Sequence, residues 1–376
     1  MVTPAAAFTA FDHACMAEAL ALARRGLRTT TPNPRVGCVL ARDGAVVGRG
    51  WHERAGGPHA EIHALGDAGE RARGATAYVT LEPCAHRGRT GPCADALVEA
   101  GVRTVIIAVR DPNPRVNGGG MATLIEAGIE TREGLMAEEG RALNPGFLSR
   151  MERGRPWVRV KLAQSLDGRT ALANGNSQWI TGDAARDDVQ RWRASACAIL
   201  TGVGTVLADD PSLNVRLGDE PRQPLRVIVD SRWRTPAGAR TLGLPGPVLV
   251  AGLDSLDIPS PLAGVAECLP LPGVEDPLDG VPRVDLTALL AELARREINE
   301  VHVEAGGTLS GALLRASLLD ELLLYQATCL LGDAGRPSFL LGELDDMGKR
   351  PAFTWQERVM VGNDLRMRLA PPYREV

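Results

Sequence analysis

Apolar positions in the first half of the chain switch between two periods, and each switch marks an element. Asp12 to Gly26 repeats its apolar residues at helical spacing, between an aspartate suited to an N-cap and a glycine suited to a helix end. Val36–Ala41 and Ala45–Gly50 are short apolar runs joined by Arg42, Asp43 and Gly44, which predicts a hairpin. A helix from Pro58, a strand over Thr76–Leu81, a helix over Pro92–Gly101 and a strand over Arg103–Val109 follow. Strands alternating with helices in this way imply an α/β unit, a sheet covered by helices on its faces.

Between Arg141 and Pro156 the periodicity lapses, and Asn144, Pro145, Gly146, Arg153, Gly154 and Pro156 supply breakers and charge. A domain boundary is expected there, dividing the chain into 1–150 and 151–376. The second part restarts with a strand over Trp157–Gln164, a helix over Asp183–Ser195, and strands over Cys197–Gly202, Leu225–Asp230 and Val248–Ala251. After Pro259–Pro282, whose prolines and glycines suit a surface connection, come a helix over Asp285–Glu297, a strand over Glu300–Glu304, a helix near Leu309–Leu319 and an apolar strand over Leu322–Leu331. This is a second α/β unit, with no internal repeat. A length of 376 residues suits two domains of roughly 100 to 200 residues each.

Composition narrows the partners. With 44% apolar and 23% charged residues the chain has material for two cores. Lys plus Arg number 42 against 46 Asp plus Glu, a formal net charge of −4, which lacks the basic surplus of a nucleic-acid binder. Met1 to Phe11 has no basic segment leading an apolar run, and no stretch approaches about 18 apolar residues, so the expected setting is cytoplasmic with no membrane partner. Seven cysteines scattered from Cys15 to Cys329 fit reduced thiols, so a cysteine cluster reads as metal-binding or catalytic.

Such a cluster is present. His59-Ala60-Glu61 with Pro83-Cys84 and a later Cys93 follows the H-x-E and P-C pattern of zinc-dependent deaminases. One imidazole and two thiolates leave the fourth tetrahedral position of Zn2+ open for a water whose pKa the metal lowers toward neutrality. Glu61, two residues after the ligand His59, is placed to carry the proton to departing ammonia. Pro58 and Pro92 suit the first turns of helices beginning at His59 and beside Cys93, where partial positive charge favours thiolate and hydroxide. A metalloprotease helix is the competing metal site, since His59 and His63 are four apart, but that motif needs its Glu directly after the first His, where Ala60 stands. A closed structural zinc site would need a fourth protein ligand.

Nucleoside and nucleic-acid deaminases show P-C-x-x-C, whereas eight residues, Ala85 to Pro92, separate Cys84 from Cys93 here. The insertion is basic and contains glycine, as a loop gripping an anion would. With it, T-L-E-P-C-A-H-R-G-R-T-G-P-C, T-P-N-P-R-V-G near residue 33 and D-P-N-P-R-V at Asp111 resemble the deaminase half of the bifunctional riboflavin-biosynthesis deaminase/reductase family. K-L-A-Q-S-L-D-G-R-T from Lys161, S-Q-W-I-T from Ser177, T-V-L-A-D-D-P-S-L-N-V-R from Thr205 and V-E-A-G-G-T-L-S-G-A-L-L from Val303 extend the resemblance through the second half.

The resemblance implies an N-terminal cytidine-deaminase-like three-layer α/β/α domain and a C-terminal dihydrofolate-reductase-like α/β domain. It implies hydrolysis of the 2-amino group of 2,5-diamino-6-(5-phosphoribosylamino)pyrimidin-4(3H)-one, then NADPH reduction of the product's ribosyl group to ribityl, in a homo-oligomer. Residue by residue, it makes His59, Cys84 and Cys93 the zinc ligands and Glu61 the proton carrier, and gives Asn33, His52, His86, Arg89 and Asn113 to the substrate. For Asn33 the residues alone favour a turn between two prolines.

In the second half the resemblance assigns Ala163, Trp179, Thr205, Asp209, Gly306, Gly307, Thr308, Leu309 and Ser310 to the dinucleotide, and Ser177, Arg193, Leu213, Arg216 and Glu304 to the phosphoribosyl substrate. Glycines after a strand and before a helix let the backbone approach a phosphate; the stretch is not G-x-G-x-x-G, so a Rossmann domain is poorly supported, and Gly202-Val203-Gly204 on its own is a tight turn. Arg193 and Arg216 would be the phosphate clamp, while Arg186, Arg191 and Arg193 read alone as a solvated helix face. Glu304 and Asp209 are candidate acids for the reduction. A single-function nucleoside or tRNA adenosine deaminase with an accessory nucleotide-binding domain is the alternative enzyme.

Overall fold

The computed structural model describes residues 7–85, 91–114, 116–218 and 222–373. The chain divides into two compact units, Met1–Gly154 and Arg155–Val376. In the first, α1 (Ala10–Ala23), β1 (Gly37–Arg42), β2 (Ala45–Trp51), α2 (Ala60–Ala68), β3 (Thr76–Leu81), α3 (Cys93–Glu99), β4 (Thr104–Val109), α4 (Gly119–Glu126), β5 (Glu130–Glu133), α5 (Ala137–Leu143) and α6 (Pro145–Arg153) follow in order. The sheet runs β2-β1-β3-β4-β5, with β1 antiparallel to β2 and β3 and the rest parallel.

Successive strand residues point to opposite faces, and the buried side chains sort accordingly. Val39, Tyr78 and Ile106 pack with Met16 and Leu20 of α1 and Phe147 of α6. Cys38, Val79 and Ile107 pack with Ala64 of α2, Leu97 of α3 and Leu124 of α4. That is the three-layer α/β/α arrangement, and it explains why β4 reads Thr-Val-Ile-Ile-Ala-Val and is buried throughout.

The helix ends differ from the pattern. Thr9, not Asp12, caps α1: Thr9 Oγ1 accepts the Asp12 amide at 3.1 Å and the Asp12 carboxylate accepts the Thr9 amide at 2.7 Å, a reciprocal capping box. The stretch where periodicity lapses is helical. Asn144 separates α5 from α6, its buried side chain bonding the Arg35 amide and carbonyl at 2.8 Å each, and Pro145 opens α6 where a missing N–H costs nothing.

The second unit contains β6 (Trp157–Gln164), β7 (Arg169–Ala171), α7 (Asp183–Ser195), β8 (Ala198–Gly202), α8 (Val203–Asp209), β9 (Leu225–Val229), β10 (Val248–Leu253), α9 (Ser260–Ala263), β11 (Glu267–Leu271), β12 (Gly273–Glu275), β13 (Pro282–Val284), α10 (Leu286–Arg295), β14 (Glu300–Val303), α11 (Gly307–Arg315), β15 (Glu321–Gln326), β16 (Arg336–Pro337), β17 (Thr354–Val361) and β18 (Asp364–Ala370). Nine strands form one sheet, β11-β10-β9-β8-β14-β6-β15-β18-β17, parallel as far as β15 and closed by an antiparallel hairpin. Leu289 and Leu293 of α10 and Leu313 of α11 pack on one face with Val160, Leu200 and Val303, and Ala185 and Val189 of α7 pack on Leu323 and Tyr325.

Three expectations change here. The 259–282 stretch is more than a connection, since it holds α9, the edge strand β11 and the start of the β12–β13 hairpin. The strand over Leu322–Leu331 stops at Gln326, and the Asp167 carboxylate takes the amides of Leu331 and Gly332 beyond it. The helix near Leu309–Leu319 starts two residues earlier, at Gly307, and ends at Arg315. No helix among the described residues is long and apolar enough to cross a membrane.

Candidate functional site

Ligands in an open α/β sheet bind beyond the carboxyl ends of its strands, and the first unit places its chemistry there. The chain leaves β3 through Glu82-Pro83 to Cys84, and leaves β4 for Asp111. Cys93 is the first residue of α3, with Pro92 as its cap, and His59 is the extended N-cap of α2 with Pro58 one residue outside. Pro92 therefore sits one position, and Pro58 two positions, before the helix each is expected to open, but both candidate ligands still stand at helix N-termini.

His59 Nδ1 is 3.2 Å from Cys93 Sγ and 3.6 Å from Cys84 Sγ, and all three ligand atoms lie within 4.8 Å of one another. Bonds of about 2.3 Å to sulfur and about 2.0 Å to nitrogen at tetrahedral angles call for separations of roughly 3.5–3.8 Å, so the residues fit Zn2+. The Cys93 thiol hydrogen-bonds Cys84 Sγ, which is the largest reason the Cys84 thiol is held below its usual range; burial opposes it, and His59 adds to the lowering. Cys93, as the donor, is held up. Among the described residues neither a fourth ligand nor His63 joins the group, which disfavours a closed structural site and the metalloprotease helix.

Glu61 lies beside this group, 3% exposed. Burial lifts its carboxyl to about 7, and its Oε2 has no hydrogen-bond partner. A carboxyl that exchanges protons near neutrality, with one oxygen unspent, suits a proton carrier. His52 packs edge-on against His59 at 5.3 Å between ring centroids. Its Nδ1 lies 3.0 Å from the Pro58 carbonyl and its Nε2 3.1 Å from Asn33 Nδ2, so the tautomer that satisfies both carries its proton on Nδ1 and accepts from Asn33. Burial keeps His52 neutral by lowering its pKa. The structure thus joins Asn33, His52 and His59, and gives Asn33 more than a turn residue's role. Asn113 follows Asp111 in a turn, its amide donating to Asp111 Oδ1 at 2.8 Å. His86 and Arg89 lie outside the described residues.

The second unit gathers its candidates at the ends of β6, β8 and β14. Glu304, just past β14, receives Arg193 of α7 through two bonds, Nε to Oε1 at 2.5 Å and Nη2 to Oε2 at 2.8 Å. Burial would raise the Glu304 carboxyl, but the charge and hydrogen bonds of Arg193 outweigh it and hold it well below its usual range. Arg193 Nη1 donates to the Asn214 carbonyl at 3.1 Å, and Arg216 Nη1 donates to Asn214 Oδ1 at 3.1 Å, beside the buried Leu213. Arg193 is therefore buried, not part of a solvated face, and much of its fork is committed to Glu304. Arg216 is exposed, and burial and the like charge of Arg193 lower its pKa.

Helix α11 starts at Gly307 behind Gly306, with no side chain capping it. A Cβ on Gly306 would meet nothing within 4 Å, which leaves open space before the first amides of Gly307, Thr308 and Leu309. Donors at an open helix start fit a dinucleotide phosphate, and NADPH with it. Ser310 Oγ turns back to the Ala305 carbonyl at 3.4 Å. Ala163, next to last in β6, pairs with Tyr325, and Thr205 and Asp209 lie on α8. Burial raises the Asp209 carboxyl, against the pull of Arg336. Ser177 and Trp179 belong to the 172–182 connection, where Trp179 is 69% exposed with the Arg186 guanidinium 4.4 Å over its ring.

Sequence reasoning misses Glu82, Lys161 and Asn214. Lys161 lies on β6, its pKa lowered by burial with Glu304 opposing. A cation within a largely apolar strand, and a carboxylate directly after one, are the signals that mark Lys161 and Glu82; Asn214 has none.

The described sites define a class, a zinc-type deaminase joined to a nucleotide-dependent reductase. Residues 9–109 match the cytidine and deoxycytidylate deaminase zinc-binding region, and residues 156–365 match the RibD C-terminal domain. The chain is 48% identical over 372 residues to riboflavin biosynthesis protein RibD of Escherichia coli K12, covering 95% of this chain and 99% of that protein. The structure of RibD from Acinetobacter baumannii superposes with a TM-score of 0.88 at 45% identity, covering 96% and 99% of the two chains. That of a diaminohydroxyphosphoribosylaminopyrimidine deaminase/5-amino-6-(5-phosphoribosylamino)uracil reductase from Thermotoga maritima gives 0.83 at 34% identity, again covering 96% and 99%. The chain belongs to the RibD family of riboflavin-biosynthesis proteins, bifunctional deaminases and reductases.

Proposed function

We propose that residues 1–150 hydrolyse the 2-amino group of 2,5-diamino-6-(5-phosphoribosylamino)pyrimidin-4(3H)-one, and that residues 151–376 reduce the ribosyl group of the product to ribityl. The observation that carries the first step is the ring of His59, Cys84 and Cys93 with the unspent Oε2 of Glu61 beside it. Zn2+ held there supplies a Lewis acid that makes water acidic near neutral pH. Glu61 accepts the water proton at Oε2 as the water oxygen bonds C2, and delivers it to the amino nitrogen, so that the C2–N bond breaks and ammonia leaves. Asn33 and His52 fix the approach of the ring, with Asn113, His86 and Arg89 completing the grip.

In the second unit the amides of Gly306 to Ser310, with Ala163, Trp179, Thr205 and Asp209, would hold NADPH, which would supply a hydride for C1′ of the ring-opened imine while a proton from water reaches its nitrogen. Glu304 orients Arg193, and Arg216 offers the phosphate its exposed guanidinium, with Ser177 and Leu213 shaping the pocket. The enzyme works in the cytoplasm, where two reduced ligand thiols persist, as a homo-oligomer that sedimentation would size.

Mass spectrometry of the zinc-loaded protein with the diamino pyrimidine tests both steps. Exchange of an amino group for oxygen without cofactor, then gain of two hydrogens on adding NADPH, is the expected result. An untouched pyrimidine alongside deaminated RNA would overturn it.

A further inference from the structure

We propose that Glu82 is a positioning residue for deamination: its buried carboxylate fixes the loop that carries Asn113 against the turn that carries Cys84. The inference rests on the reading of Asn113 as a substrate contact. Glu82 follows the last residue of β3, precedes Pro83-Cys84 and is 4% exposed. Its Oε2 accepts the amides of Asp111 at 3.2 Å and Gly118 at 3.1 Å, and its Oε1 those of Gly120 at 3.1 Å and Met121 at 3.2 Å. A carboxylate offers about four lone-pair sites, and here they meet backbone N–H groups of one segment, 111–121.

Both ends of that segment thus converge on one side chain, Asp111 where the chain leaves β4 and Gly118 to Met121 where α4 begins. Between them Asn113 donates its amide to Asp111 Oδ1, and its carbonyl accepts the amides of Val116 at 2.8 Å and Asn117 at 3.0 Å. The loop is a hydrogen-bonded unit hung on Glu82. Its seat has no slack, because a Cβ on Gly120 would stand 1.8 Å from the Pro83 carbonyl oxygen. Glu82 lies outside the group His59, Cys84 and Cys93, so its action on the reaction passes through what it holds. A glutamine there turns an NH2 toward two N–H donors and pushes one end of the loop away.

The test is a double-mutant cycle in the full-length zinc-loaded protein, with Glu82→Gln, Asn113→Ala and both together, reading deamination of the diamino pyrimidine, zinc content and reduction of pre-deaminated substrate. Glu82→Gln should raise KM roughly tenfold or more with kcat reduced less, zinc retained and reduction intact, and should add less than about threefold to Asn113→Ala. Glu82→Asp, which keeps the charge on a shorter arm, should fall between, and it carries the same cycle if the glutamine variant does not fold. Multiplicative effects in the double variant overturn the proposal, as does loss of zinc in Glu82→Gln or an unchanged KM. An unchanged KM in Asn113→Ala alone removes the substrate reading of Asn113 and the proposal with it, whereas a large Asn113→Ala effect with multiplicative Glu82→Gln removes the proposal only.

Discussion

Glu61 and Glu304 are carboxyls with opposite fates, decided by their neighbours. Glu61 has burial uncompensated by a cation that outweighs it and rises to about 7; Glu304 has Arg193 and falls. The first can give and take a proton near neutrality, and the second is a fixed anion, which argues against Glu304 as the acid of the reduction. Glu61→Gln keeps the shape and removes the exchangeable proton. Deamination should fall by about 10²–10⁴-fold, the usual contribution of a general acid-base, while zinc per chain, read by elemental analysis, stays near that of the parent. A variant that still deaminates at the parental rate would show that Glu61 carries no proton. The His59 and Glu61 pair is legible in the sequence because a ligand and a proton carrier must share one helix start. Arg193 is not: its neighbours on α7 read as solvated, and only Glu304 and Asn214, far along the chain, account for its burial.

At the scale of elements, strands buried on both faces announce themselves as apolar runs, and β1, β3, β4 and β6 are legible for that reason. The edge strand β17 is largely exposed and has no such run, so its pairing with β18 is invisible until the fold is known. The start of α11 is hidden for a different cause. Gly307 lacks helix propensity, and the helix begins there because the chain at 337–340 packs against it: the Leu340 amide bonds the Gly307 carbonyl at 2.9 Å, and a Cβ on Gly311 would sit 2.1 Å from the Leu340 carbonyl oxygen. The β6–β15–β18 ladder carries a prediction. Glu321 accepts Arg159 Nε at 2.7 Å and Arg368 Nη2 at 3.1 Å. Burial alone would raise the Glu321 carboxyl, but the two charges outweigh it and hold it at about 2. Its folded pKa lies below the unfolded value of about 4.3, so the stabilisation is complete above that value and is lost as pH falls toward 2. The gap corresponds to about 3 kcal/mol. The protection of β6 and β15 amides, their exchange measured against that of an unstructured peptide at the same pH, should therefore fall between pH 4.5 and pH 2 (about the span of the two pKa values), and Glu321→Gln should flatten much of that dependence; an equal slope in both proteins would place the acid sensitivity elsewhere.

For the whole molecule, the question is whether two chemistries in one chain depend on each other. Each unit has its own cores: the packed clusters of the first sheet and those of the second share no residue. The candidate zinc ligands all come from the first unit, and the dinucleotide and phosphate candidates of the reduction come from the second. Two α/β patterns separated by breakers make the pairing legible in sequence, although much of that stretch folds as the end of α5 and as α6, with Asn144 between them tied back to Arg35. Removing the metal exploits the separation. Dialysis against a chelator strips the site of His59, Cys84 and Cys93 and should abolish deamination, while NADPH oxidation with pre-deaminated substrate continues at the parental rate. Metal binding stabilises the fold that holds its ligands, so added protease should cut the first unit sooner in the stripped protein and leave the second as resistant as before. Parallel loss of both activities, restored together by zinc, would mean that the reductase depends on the metal-bound state of the deaminase.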